Sequence, residues 1–368
     1  MRLADYTTLG LGGPAKSFVA ATSEAELVCA IRSADAWGSP VLVLGGGSNL
    51  VIADSGFPGT VVHVASKGVR FSPVDDTFAG GPPAASPLAD VSTAAASSSP
   101  LVDVTVAAGE DWDSVVAAVV AEGLAGLECL SGIPGRAGAT PVQNVGAYGQ
   151  EVAGVITRVR VYDRVDGTLL TLTNELCRFS YRNSLFKVSN GRYVVTEVTF
   201  RLYAEPLSRP VKYAELASEL GVEMGSRASV GEVRSAVLKI RSRKGMVLNP
   251  GDPDTRSAGS FFTNPVLGQD EFARVEAAAG DARVPRFDAG DGLVKVPAAW
   301  LIEHAGFAKG YGAPGPARVS SKHTLALVNA GAATTADLLS LAREIVSGVR
   351  DVFGVTLTPE PILVGVTL

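Results

Sequence analysis

Apolar and polar positions along this chain follow two periods, and the switches between them mark its elements. Ser23 and Glu26 form a capping box, and Leu27, Ala30, Ile31 and Ala34 follow at helical spacing. The all-apolar run Val41–Leu44 reads as a buried strand. Gly45-Gly46-Gly47-Ser48-Asn49 comes next, then an apolar run over residues 50–53, turns at Gly56 and Pro58-Gly59, and a strand over 60–64. Further strands are expected over Leu101–Ala107 and over residues 158–162, 169–172 and 193–202. Asp111 reads as the cap of a helix running to Glu122, stopped by Gly123. Helical patterns also cover residues 213–220, 230–244 and Gln269–Ala279. The clearest amphipathic helix is Thr335–Phe353, with Leu338, Leu341, Ala342, Ile345, Val349 and Val352 on one face. Residues 356–365 read as an extended strand interrupted by Pro359 and Pro361. Strands and helices are mixed without an internal repeat, which predicts an α+β architecture.

Residues 74–100 break the pattern. Ala, Ser, Pro and Asp dominate there, little can be buried, and a flexible surface loop is expected.

Composition narrows the classes. Of 368 residues 46% are hydrophobic and 19% charged, enough apolar side chain for sizeable cores in two or three domains. The net charge of −5 and the lack of a Lys/Arg block argue against nucleic-acid binding. No apolar run is long enough for a membrane helix, and the first residues have no apolar signal core. Cys29, Cys129 and Cys177 are odd in number and far apart, as suits reduced thiols in a cytoplasm. His63, His304 and His323 lack metal-ligand spacing, so no metal site is expected. The Trp, Met and Cys residues read as packing.

The 41 glycines then become informative, because consecutive Gly residues let several backbone N–H groups converge on an anion. Gly45 to Asn49 can form such a nest, with a hydroxyl and an amide as added donors. It is not a Rossmann fingerprint, since Leu50 stands where a third Gly belongs and a strand, not a helix, follows. Nor is there a P-loop. A second Gly-rich run spans residues 127–149, and two such loops can clamp a pyrophosphate from two sides.

Five motifs occur in order: Leu44-Gly-Gly-Gly-Ser-Asn49; Ser131-Gly-Ile-Pro-Gly135 with residues 138–149; Tyr181-Arg-Asn-Ser184; Ala258-Gly-Ser-Phe-Phe262; and Pro359-Glu360. Together they resemble the UDP-N-acetylenolpyruvoylglucosamine reductase (MurB) family over nearly the whole chain. Residues 210–216 resemble the tyrosine-bearing loop of its type I branch. The resemblance implies an FAD-binding fold of the vanillyl-alcohol oxidase (PCMH) type in two subdomains, plus an α+β substrate-binding domain. The implied divisions are residues 1–68, joined by a returning strand over 356–368, then 69–243, then 244–355. It also implies bound FAD, NADPH as co-substrate, and reduction of the enolpyruvyl ether of UDP-N-acetylglucosamine to UDP-N-acetylmuramate, by a cytoplasmic monomer in peptidoglycan precursor synthesis.

By the same resemblance, hydride passes from flavin N5 to the enolpyruvyl methylene carbon, and negative charge grows on the carboxylate as an enolate. Arg182 matches the cation that stabilises it, since a planar guanidinium can fork onto a carboxylate. Ser260 matches the proton donor; a serine hydroxyl is a weak acid, so a nearby cation or a water relay is needed. Glu360 matches the residue acting with Arg182, and burial between two prolines is expected to raise its pKa. FAD contacts fall to Gly45, Gly47, Ser48, Asn49, Gly109, Gly135, Gly138, Ala139, Thr140, Asn144, Gly146 and Tyr148. Substrate contacts fall to Tyr213, Lys244, Asn264, Lys295, Lys322 and His323, while Phe287 stands where some members carry a tyrosine. The competing readings are an FAD-dependent oxidase or dehydrogenase of alcohols or hydroxy acids, which needs none of the last three motifs, and a nucleotide-binding module without turnover.

Overall fold

The computed structural model describes residues 1–74 and 100–368, so the loop expected over 74–100 lies, save for its two ends, outside the described residues. The chain forms two compact units. The larger comprises Ser17–Gly46 and Gly59–Ser242; the other, a composite, comprises Met1–Lys16, Gly47–Pro58 and Arg243–Leu368. Residues 1–16 and 47–58 thus group with the C-terminal third.

The larger unit is built on an antiparallel sheet. Its strands run in the order Thr168–Thr173, Ile156–Asp163, Tyr193–Ala204, Leu101–Ala107 and Val69–Pro73, and Leu124–Ala125 also pairs with Tyr193–Ala204. Val104, Val106, Val159, Val161, Val198 and Phe200 are buried, and Trp112, Val115, Val116 and Val119 of the helix Trp112–Ala121 join the same core. Trp112 lies 5.5 Å from Phe200, ring centre to ring centre. Its indole N–H donates to the Leu130 carbonyl at 3.2 Å, avoiding the roughly 1–3 kcal/mol cost of burying an unpaired donor. Asp111 caps this helix by accepting from the Ser114 amide. Beside this sheet in sequence, Val41–Leu44 pairs in parallel with Phe57–Val64. The helix Glu24–Ala36 adds Leu27 and Ile31 to the core. Ser23 caps that helix, but Glu26 reaches back one residue further than a capping box, to the amide and hydroxyl of Thr22. A satellite core forms where Leu216 and Ala217 of Ala214–Leu220 meet Val233, Val237 and Ile240 of Val230–Arg243.

In the composite unit the helix Thr335–Phe353 buries Leu338, Leu339, Leu341, Ala342, Ile345, Val349 and Phe353. A fully buried Leu or Ile contributes about 1.5–3 kcal/mol, so this face is a substantial part of the unit's core. Val352, expected on that face, is 43% exposed. The buried stripe instead turns toward Leu339 and Phe353, as the 3.6-residue period drifts across a long helix. Thr334 and Asp337 form a reciprocal cap at its start, and Asp54 accepts from the amides of Thr335 and Ala336. Only Ile362–Val364 of the expected tail strand pairs, in parallel with Leu50–Ile52. The two prolines leave the preceding residues with a single bridge, Phe262 to Pro359.

The expectation that Trp, Met and Cys serve packing holds for Trp112, Cys129 and Cys177, whereas Trp37 is 87% exposed and Met224 and Cys29 are also exposed. Among the described residues no helix is long and apolar enough to cross a membrane.

Candidate active site

The two glycine-rich runs meet inside the larger unit. A Cβ on Gly46 would lie 2.7 Å from the Cα of Gly135. One on Gly138 would lie 2.4 Å from the Cβ of Ala108, and one on Gly109 would lie 2.4 Å from the amide nitrogen of Ser66. Such distances exclude side chains, so these glycines are required by backbone packing of the chain against itself. Gly45 differs. The nearest atoms to its Cβ position are Cβ and Cγ of Arg136 at 3.6 Å, an ordinary contact, so the protein leaves room there. Arg136 is half-buried, and its Nε is buried without a hydrogen-bond acceptor among the described residues. A roomy glycine beside a guanidinium in want of acceptors fits the phosphates of a dinucleotide such as FAD.

The rest of the second run is heavily bonded. Gly138 donates to the Ala108 carbonyl at 2.9 Å, and Thr140 donates its hydroxyl to the Ala137 carbonyl at 2.8 Å. Gly135 accepts from the Trp112 amide at 3.1 Å. Ala139 is exposed on this turn. Asn144, fully buried, donates to Glu151 at 2.8 Å and to the Ser180 carbonyl at 3.1 Å, and accepts from the Ala153 amide at 3.1 Å. Its side chain ties the run to the Tyr-Arg-Asn-Ser motif.

Arg182 completes that tie. Its guanidinium donates to the carbonyls of Asn144 at 3.4 Å and Gly146 at 3.0 Å and lies over the Tyr181 ring. The two carbonyl oxygens orient the group. The backbone of Arg182 has φ +51°, as do, nearly, Asn144 at +46° and Tyr148 at +50°. Such left-handed non-glycine residues are held by their surroundings and gather at functional sites.

Tyr148 and Tyr213 stand edge to face, 5.7 Å between ring centres. Burial pushes the Tyr148 hydroxyl up to about 12, so it stays protonated. Tyr213, at the entrance to Ala214–Leu220, remains 50% exposed. Nearby, Arg241 donates to the Gly132 carbonyl at 3.3 Å, and burial lowers its pKa against the pull of Tyr148 and Asp113.

The composite unit carries the other candidates. Ser260 follows Gly259, whose φ is +73°, and precedes Phe261 and Phe262, which are buried edge to face. Glu360 is half-buried. Its amide donates to the Phe261 carbonyl at 2.9 Å, and its carbonyl accepts from the Asn49 side chain at 3.3 Å. The Glu360 main chain is thus bonded on one side to Phe261, next to Ser260, and on the other to the Asn49 side chain. Gly47 also belongs here, with φ +60° and a Cβ position 1.9 Å from the Tyr6 carbonyl oxygen. Ser48 follows it, half-buried.

The softer substrate candidates take local partners. Asn264 accepts from the Ala298 amide at 2.9 Å, at the start of Ala298–His304. Lys295 pairs across strands with Val266 and with Phe287, which is 56% exposed. Lys322 forms an ion pair with Asp252, whose pKa it lowers. The His323 amide donates to the Ser320 hydroxyl at 3.3 Å, and Lys244 is half-buried just past Val230–Arg243. Arg136 and Arg241 were missed from sequence. For Arg136 the available signal was a lone cation within the second glycine-rich run.

Residues 99–173 match a family model described as an FAD binding domain, which defines the chain as a flavoprotein by class. Residues 252–364 match one described as the C-terminal domain of UDP-N-acetylenolpyruvoylglucosamine reductase. Curated relatives of that name are 54% identical in Thermobifida fusca, covering 100% of this chain and 97% of the relative, and 53% identical in Streptomyces coelicolor, covering 100% and 90%. The crystal structure of UDP-N-acetylenolpyruvylglucosamine reductase (MurB) from Thermus caldophilus matches with a TM-score of 0.62 at 25% identity, covering 99% of this chain and 97% of that one. The chain belongs to the UDP-N-acetylenolpyruvoylglucosamine reductase family.

Proposed function

We propose that this chain reduces the enolpyruvyl ether of UDP-N-acetylglucosamine to UDP-N-acetylmuramate, using NADPH and bound FAD, with Arg182, Ser260 and Glu360 as its catalytic residues. FAD supplies, when bound, the hydride taken from NADPH. Gly45 and the turns around Gly135 and Gly138 hold its phosphate end. Arg182, oriented by two carbonyls, presents a charge to the substrate carboxylate as negative charge builds there; stabilisation confined to the transition state is what speeds the step. Ser260 gives the proton to the adjacent carbon. Glu360 acts with Arg182 on the enolate, and Tyr213, Lys244, Asn264, Lys295, Lys322 and His323 are the substrate contacts. The C-terminal third covers the substrate, and the chain works as a cytoplasmic monomer without membrane or nucleic acid.

The observation that carries this reading is the link between the Ser260 and Glu360 segments: the Glu360 amide bonds to the carbonyl of the residue after Ser260. A nucleotide-binding module would have no need to tie the Ser260 and Glu360 segments together. The test separates the half-reactions. NADPH should bleach the bound flavin, and the colour should return on adding the enolpyruvyl nucleotide under anaerobic conditions. Reoxidation by oxygen alone, with no response to that nucleotide, would favour an oxidase instead.

A further inference from the structure

We infer that Arg136 binds the diphosphate of FAD through its guanidinium and so sets the affinity of the chain for a dinucleotide over a bare flavin. The inference rests on the reading that the cofactor's phosphates lie at the Gly45 turn. Gly45, Arg136 and their neighbours all lie in the larger unit. The Arg136 side chain runs along Gly45, with Cβ and Cγ 3.6 Å from where a glycine Cβ would be. Its Nε is buried and has no acceptor, and Arg136 has no ion-pair partner among the described residues. A half-buried guanidinium left in that condition is costly, because desolvation is not offset by any paired charge. An anion seated at the turn would remove the cost, and a planar fork suits phosphate oxygens better than an ammonium would. The backbone keeps the side chain in place: Arg136 bridges Asp111, and its carbonyl accepts from Ala139 at 3.0 Å. Burial first, and then the charges of Arg136 and Lys67, lower the pKa of His63. His63 is then neutral near pH 7 and does not compete for the anion.

The experiment strips flavin from the full-length chain and titrates it with FAD and, separately, with riboflavin, following flavin fluorescence. In Arg136→Ala, and in Arg136→Met, which keeps the stem against Gly45, FAD affinity should fall about 10- to 100-fold, as expected for lost charge-assisted hydrogen bonds. Riboflavin affinity should stay within about twofold, since riboflavin carries no phosphate. FAD affinity unchanged in both variants, or riboflavin weakened as much as FAD, overturns the inference. Gly45→Val tests the underlying reading, because the protein itself has room for its Cβ. If that variant keeps full FAD affinity, the phosphates lie elsewhere and reading and inference fall together. If it loses FAD while both Arg136 variants retain it, only the role of Arg136 falls.

Discussion

The Glu360 amide donates to the Phe261 carbonyl at 2.9 Å, while the Phe261 amide donates to the Leu325 carbonyl at 2.7 Å. Phe261 therefore bridges two segments far apart in sequence, with its ring fully buried. Ser260 is held beside this bridge by main-chain bonds, so its hydroxyl can be removed without disturbing the frame.

That separation makes Ser260→Ala a clean test. NADPH-driven flavin reduction should proceed at the normal rate, and reoxidation by the enolpyruvyl nucleotide should slow by about 10²–10⁴, the range for a lost general acid. Stopped-flow absorbance of the flavin reads both steps. Equal slowing of both would make Ser260 a structural residue.

Arg182→Lys keeps a charge but loses the fork and the pair of carbonyl contacts to Asn144 and Gly146. Reoxidation should fall by about 10²-fold or more, with flavin affinity and its reduction by NADPH little changed. A variant as fast as the parent would remove Arg182 from the chemistry.

The two faces of Thr335–Phe353 give a stability contrast. Ile345 is fully buried, so Ile345→Ala should cost about 2–5 kcal/mol in urea unfolding. Val352, 43% exposed, should tolerate Ser within about 0.5 kcal/mol. A large loss at Val352 would show that the helix is rotated from the position described.

Acid sensitivity should trace to Asp163. Hydrogen bonds from Arg192 hold its carboxyl at about 2, below the ordinary 3.8, against the opposing effect of burial. A carboxylate with a depressed folded pKa adds stability that is complete above the unfolded value and lost as pH falls through the folded one. Asp163→Asn should therefore flatten the decline in melting temperature between about pH 4 and pH 2. An unchanged slope there would assign the acid limb to other carboxylates.

Much of this was legible in the sequence, for identifiable reasons. Gln269–Ala279 and Thr335–Phe353 have the expected bounds because each carries a full helical stripe and a defined start. Arg182, Ser260 and Glu360 are proposed from the resemblance of their motifs to the reductase family. Less legible were properties set by distant partners. Nothing local shows that Asn144 spends its amide on Glu151 and Ser180, or that Gly46 is needed by the backbone of Gly135. The tail was misjudged because pairing depends on a partner strand: only the three residues past Pro361 find one, in Leu50–Ile52.

That parallel pairing bears on how the molecule is made. Leu50–Ile52 leaves the ribosome about 310 residues before its partner Ile362–Val364. The larger unit has all its strands and helices in hand before then, whereas the composite unit must wait for residues 362–364. Apolar residues such as Val51 thus wait through the synthesis of about 310 further residues for their strand partner, and chaperone demand during expression should concentrate there.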